Sequence, residues 1–96
     1  MTSLVLRPRA QRDVEEILDY NARTWGVDQA EIYIRQIQQT LDLLANDPQL
    51  GRACDEIRAG YRKFPAGGHI VFYRAIADGV EVVRILHASM DVERHL

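Results

Sequence analysis

The sequence predicts an α+β fold in the order β-α-α-β-β-β, an N-terminal helical hairpin packed on a small, mainly antiparallel sheet. Three observations predict it. Two stretches, from Ala10 to Trp25 and from Val27 to Leu44, repeat apolar residues at helical spacing. Only Gly26 separates them, and so short a joint forces two helices to lie antiparallel. The last third of the chain reads as three strands, the final two joined at Asp78-Gly79, a strong hairpin signal.

Each element has its own justification. Ser3-Leu4-Val5-Leu6-Arg7 is a short strand with Leu4 and Leu6 on one face and Val5 on the other. Pro8 suits the first turn of a helix, although Arg7 is a poor N-cap. Ala10, Val14, Ile17, Leu18 and Trp25 form the stripe of the first helix, broken by the polar Asn21, and Gly26 supplies a left-handed C-cap. Asp28 is expected to cap the second helix, with Glu31 completing a capping box. Val27, Ala30, Ile34, Ile37, Leu41 and Leu44 make an a/d seam that Asn46-Asp47-Pro48 terminates. Arg12–Glu16, Asp19–Arg23 and Glu31–Arg35 are spaced to pair one turn apart. Residues 51–59 read as a polar loop and 60–64 as the second strand. A turn at Pro65-Ala66-Gly67-Gly68 leads to the third strand at 69–76, and the fourth spans 80–87. The hairpin at Asp78-Gly79 is expected to need positive φ at both residues. The last two strands do not alternate cleanly, so something must cover part of the second sheet face.

Composition narrows the function. Ninety-six residues make one domain, 1–96, too small for a deep cleft and suited to work through a surface. No apolar run reaches the roughly 18–20 residues of a membrane span, and the start is too quickly charged for a signal peptide. Cys54 is the single cysteine, an inert thiol suited to a reducing cytoplasm. The formal charge of −2 is divided unevenly. Residues 10–47 carry eight acids against three arginines, a net of −5, and the remainder carries nine bases against six acids, a net of +3. Such a dipolar domain steers toward an acidic partner, yet it is not basic enough for a general nucleic-acid binder.

Arg62, Arg74 and Arg84 interrupt runs that are otherwise strand-like and apolar. A buried arginine needs a partner, in the same chain or another. Tyr61, Phe64, Phe72 and Tyr73 stand close by, and arginine beside aromatic residues is typical of interface anchors. A ribonuclease built on Arg62, Lys63, Arg74, Arg84 and His87 would need a base, an acid and cations for the phosphorane charge. His87 is the histidine such acid–base chemistry would draw on. However, Lys63 is the single lysine, no tyrosine follows Tyr73, and His69 and His95 have no evident second partner. A structural His87, donating to a backbone carbonyl at the strand end, is the simpler expectation. Asp13, Glu15, Glu16 and Asp19 share helical faces but are flanked by Arg12 and Arg23, with no histidine near. They read as a solvated surface, and neither a metal nor a cofactor is expected.

Five fragments stand together in a recognisable order: Ala10-x-x-Asp13 through Ile17 and Tyr20, Asp47-Pro48-x-x-Gly51, Gly60-x-Arg62, Ile70-x-Phe72-Tyr73-Arg74, and Ile85-Leu86-His87-x-x-x-Asp91. Over nearly its whole length the chain resembles the ParE toxins of the RelE/ParE superfamily, the toxin halves of bacterial toxin–antitoxin pairs. The resemblance implies the same β-α-α-β-β-β order and a ParD-like antitoxin draped over the toxin as a helix and an extended strand. That antitoxin would account for the apolar residues on both sheet faces. ParE members inhibit DNA gyrase, whereas RelE members cut messenger RNA on the ribosome with a cluster of bases and a C-terminal tyrosine. This chain lacks that tyrosine and falls on the ParE side. Met90 departs from the arginine that often precedes the aspartate, and Arg7 from the usual serine or threonine cap.

The resemblance thus implies a cytoplasmic gyrase inhibitor without catalysis of its own, with no specific DNA binding and no membrane contact. A ribosome-dependent endoribonuclease or a non-toxic binding module of the same fold are the alternatives. Target contact is expected at Arg62, Arg74, Arg84, His87 and the tail residues Asp91, Arg94, His95 and Leu96. Antitoxin contact is expected at Val27, Tyr33, Ile34 and Leu41 on the hairpin, at Tyr61 and Phe64, and along exposed strand edges. Against the last expectation stands the possibility that the hairpin seam is entirely intramolecular.

Overall fold

In the computed structural model, which describes residues 2–90 and 92–96, the chain runs β1 (Ser3–Leu6), α1 (Pro8–Trp25), α2 (Val27–Asn46), β2 (Arg52–Ala53), β3 (Tyr61–Ala66), β4 (His69–Ile76), β5 (Gly79–His87) and α3 (Val92–His95). The five strands form one sheet in the order β1-β5-β4-β3-β2. β1 lies parallel to β5 and every other pair is antiparallel. The predicted α+β order is therefore present, with two additions. The segment read as a loop contributes the two-residue edge strand β2, and the tail forms a helical turn.

The helical hairpin covers one face of the sheet. Ala10 and Ile17 of α1 and Ile37, Leu41, Leu44 and Ala45 of α2 pack on Val71, Tyr73, Val80, Val82 and Ile85. The seam of α2 is thus buried within the chain at Ala30, Ile37, Leu41 and Leu44, but Ile34 is half-buried and the first member, Val27, is 63% exposed. On α1 the buried stripe is Ala10, Asp13 and Ile17, while Leu18 and Trp25 face outward. The two helices share Gly26, which has φ 92° and ψ 161°. That conformation is extended and glycine-specific, not the expected left-handed helical one. The Gly26 N–H closes α1 onto the Ala22 carbonyl, and its carbonyl accepts from Ala30 at the start of α2. Gly26, not Asp28, is therefore the N-cap, and Asp28 sits in the first turn, where its charge favours the helix end. Of the three expected helical ion pairs, Asp19–Arg23 is formed among the described residues, at 3.1 Å.

A bulge explains the irregular alternation of the last strands. Phe72 pairs with Arg84 but Tyr73 pairs with Val82, so Val83 has no partner on β4. Val82 and Ile85 both face the helices, and Val83 and Leu86 are left for the other side. There they join Cys54, Tyr61 and Phe72 in a second core cluster. Ile57 from the 54–60 turn and Val92 and Leu96 from the tail pack onto it. The chain itself covers the second face of its sheet, so no partner is needed to explain the apolar residues there. The final hairpin also departs from expectation. None of residues 77–79 has positive φ, and the turn is centred on Ala77-Asp78. Gly79 is required instead by the close approach of β1: a Cβ would lie 2.7 Å from the Ser3 carbonyl carbon.

Candidate functional site

The three strand arginines do not converge. Arg84 is 9% exposed, and its guanidinium turns inward to Asp13 of α1, which is 7% exposed. Arg84 Nε donates to Asp13 Oδ2 at 2.8 Å and Nη2 donates to Oδ1 at 2.9 Å. The Ile85 backbone N–H donates to the same Asp13 Oδ2 at 2.9 Å. β1 ends at Leu6 opposite Val82, so this carboxylate stands where the next strand's carbonyl would otherwise be. Arg84 Nη1 donates to the His95 carbonyl at 3.0 Å, tying the tail to the same point. The pairing with Asp13 pushes the Arg84 pKa up, against the opposing effect of burial. Asp13 is therefore no part of a solvated acidic face, and Arg84 joins α1, β5 and the tail rather than presenting a free cation.

Arg62 serves the loop after α2. Its Nη1 donates to the Gly51 carbonyl at 2.7 Å and lies 3.4 Å from that of Gln49. Tyr73, on the same sheet face, completes the clamp: its hydroxyl accepts from Gly51 N–H and donates to the Pro48 carbonyl, both at 2.8 Å. A Cβ at Gly51 would collide with the Tyr73 side chain and approach the Lys63 carbonyl to 2.9 Å. The Asp47-Pro48-x-x-Gly51 fragment thus has a physical cause in Tyr73 and Arg62. Arg74 pairs across the hairpin with Glu81 at 2.6 Å, and Arg7 reaches the same carboxylate at 3.0 Å. Arg7, then Arg74, holds the Glu81 carboxyl below its usual range. Arg7 Nη1 also donates to the Tyr61 hydroxyl at 3.3 Å, which is the work this residue does in place of capping α1.

His87 has a neighbourhood that sequence reasoning missed. It lies directly opposite His69 in the β4–β5 register, with the rings edge to face at 5.4 Å. His69 Nδ1 is 2.6 Å from the Tyr33 hydroxyl, which also accepts from Gly68 N–H at 3.0 Å. Burial, then the neighbouring His87, pushes the His69 pKa down. His87 does not donate to a strand-end carbonyl as expected. Its Nδ1 accepts from Ser89 N–H and pairs with the Ser89 hydroxyl at 2.7 Å. The hairpin alone, with Ile76 opposite Gly79, would set His69 against Leu86, and the bulge moves it one residue on to His87.

The expected antitoxin contacts divide by exposure. Leu41 at 4% and Tyr61 at 8% are largely buried within this chain, one in each core cluster, and show only a small part of their surface. Ile34 and Phe64 are half-buried against the main core, Tyr33 is half-buried and tied to the β3–β4 turn, and Val27 is exposed. What stays open is a shallow apolar groove of about 190 Å³ between β1 and the hairpin, lined by Leu4, Leu6, Val14, Ile34, Ile37 and Leu41. Beside it β1 forms a sheet edge, with Val5 44% exposed. Of the tail residues, Arg94 is exposed, His95 is held through its carbonyl, Leu96 packs on the second cluster, and Asp91 lies outside the described residues. Cys54 is fully buried in that cluster, and burial pushes its thiol pKa up. Among the described residues no three His, Cys, Asp or Glu side chains gather in a metal-holding group, and no helix is long and apolar enough to cross a membrane.

Comparison with known proteins bears on this arrangement. Residues 4–92 match the family described as ParE toxin of type II toxin–antitoxin system, parDE. Toxin ParE1 of Mycobacterium tuberculosis is 54% identical over 93 residues, covering 96% of this chain and 95% of that one. Toxin ParE1 of Caulobacter vibrioides is 42% identical over 91 residues, covering 95% and 94%. A solved structure described as the chromosomal ParDE TA system from P. aeruginosa superposes with a TM-score of 0.77 over 91% of this chain and 96% of that one. At 19% identity, that likeness speaks to the fold alone.

Proposed function

Because the chain belongs to the ParE toxin family of type II toxin–antitoxin systems, we propose that it inhibits DNA gyrase in the cytoplasm by binding alone, and that a ParD-like antitoxin neutralises it. The observation that carries the binding reading is the fate of the strand arginines. Arg84 is held by Asp13, Arg62 by the Gly51 carbonyl and Arg74 by Glu81. Phosphoryl chemistry on RNA requires cations free to follow developing charge, beside an acid and a base. Here these three guanidiniums are spent on the scaffold.

The antitoxin reading rests on the groove between β1 and the hairpin. An extended segment can add to the open edge of β1, while an apolar helix face lays residues against Ile34 and Val14. The endoribonuclease reading rests on the Tyr33–His69–His87 cluster, which contains acid–base groups. Among the described residues no lysine or arginine hydrogen-bonds into it, so we rank this reading second. A supercoiling assay with purified gyrase, ATP and this protein tests the proposal. Inhibition that a co-expressed antitoxin reverses is expected. Untouched supercoiling together with cleavage of ribosome-bound transcripts would favour the nuclease, and normal growth on induction would favour an inert module.

A further inference from the structure

We propose that the recess between the start of α1, the turn at 54–60 and the C-terminal tail is a binding site for a carboxylate-bearing, partly apolar peptide segment of a protein partner. The recess encloses about 300 Å³, enough for one or two side chains and too little for a folded surface. Four guanidiniums stand around it, those of Arg7, Arg9, Arg58 and Arg84. They are not equivalent. Glu81 compensates Arg7 and Asp13 compensates Arg84. Arg9 and Arg58 are exposed and enter no ion pair among the described residues. No acidic residue occupies the first turn of α1 to offset Arg9. Among the described residues, then, the site carries two positive charges without an ion-pair partner, beside two arginines that have one.

The rest of the lining decides between possible anions. Tyr61, Val83, Pro8 and Leu96 give the recess an apolar floor. A nucleic-acid strand needs a row of cations that each meet a phosphate, and it gains nothing from Val83 or Leu96. A peptide carrying Asp or Glu next to Leu or Ile matches both parts of the site. Its carboxylates meet the planar forks of Arg9 and Arg58, and its apolar side chains cover the floor. The inference does not depend on gyrase being the target, because it concerns what the recess recognises and not which machinery is stopped.

The test is an NMR titration of the full chain with three probes: a seven-residue peptide alternating Leu and Glu, its Leu/Gln counterpart, and a dodecathymidylate. The acidic peptide should shift the Val83 methyl and Tyr61 ring resonances. Its affinity should fall about tenfold in an R9E/R58E variant and with the Gln counterpart, the loss expected for two exposed charge pairs. An R12E/R35E variant controls for the same change in net charge at sites away from the recess and should bind as the parent does. Both substituted pairs are exposed, and Glu near the start of α1 favours the helix, so folding is preserved. No shift at Val83 and Tyr61 at millimolar peptide, equal affinity in R9E/R58E, or stronger occupancy by the oligonucleotide would each overturn the proposal.

Discussion

Asp13 and Arg84 are separated by 71 positions and meet in a two-point ion pair, with the Ile85 N–H as a third donor to the same carboxylate. Breaking a buried pair by removing one partner leaves the other charge uncompensated. Arg84→Ala and Asp13→Ala should each destabilise the fold by about 3–5 kcal/mol in urea denaturation. Replacing both with apolar residues should recover a good part of that loss. A loss of toxicity in Arg84→Ala would then reflect unfolding, and a variant that melts like the parent would return Arg84 to the list of contact residues.

Tyr73 and Gly51 make a second lock. Tyr73→Phe leaves the Gly51 N–H and the Pro48 carbonyl without their partner in a buried setting, which should cost about 1–3 kcal/mol. Gly51→Ala should cost more than Tyr73→Phe, because the added methyl meets both the Tyr73 ring and the Lys63 backbone. Denaturation midpoints of the two single variants and the double variant check the order. A double variant less destabilised than the sum of its parts is expected, since both changes break the same contact.

Much of this architecture was legible because it depends on local pattern. The 3.6-residue stripes, the short joint at Gly26 and the hairpin before β5 each announce themselves within a few residues. What escaped depends on distant partners. Asp13 sits in a run with Glu15, Glu16 and Asp19 and looks solvated until β1 is seen to stop short of Ile85. The bulge at Val83 has no glycine to mark it, so neither the unpaired Val83 nor the His69–His87 pairing was readable. The tail is expected from sequence to contact a target, yet Val92 and Leu96 pack onto the second cluster with Phe72 and Leu86. The candidate site suffers most from this, because arginines that look available in sequence are committed to partners only the fold supplies.

His69 makes stability depend on pH. Its folded pKa lies below the ordinary 6.5, chiefly through burial and then through His87, with Asp13 opposing. The unfolded chain therefore binds the proton more readily, and protonation favours unfolding. The contribution is fully present above pH 6.5 and is lost as the pH falls from there toward the lowered folded value. Thermal midpoints measured across this range should decline for the parent and decline less for His69→Asn. Identical pH profiles for the two proteins would remove the Tyr33–His69–His87 cluster as the source.

The tail presents a harder separation of stability from action. Truncation after Met90 deletes Val92 and Leu96 from the second cluster and the His95 carbonyl from Arg84. Loss of two half-buried apolar side chains should cost roughly 2 kcal/mol, and the newly exposed Phe72 and Leu86 should bind a hydrophobic dye. A truncated form that fails to arrest growth would thus be explained by its fold before its contacts. Arg94 is exposed and makes no ion pair among the described residues, so Arg94→Ala should leave the denaturation midpoint where it is. If the tail also touches the target, that variant should weaken gyrase inhibition at unchanged stability. Full inhibition by Arg94→Ala would instead limit the tail to covering the sheet.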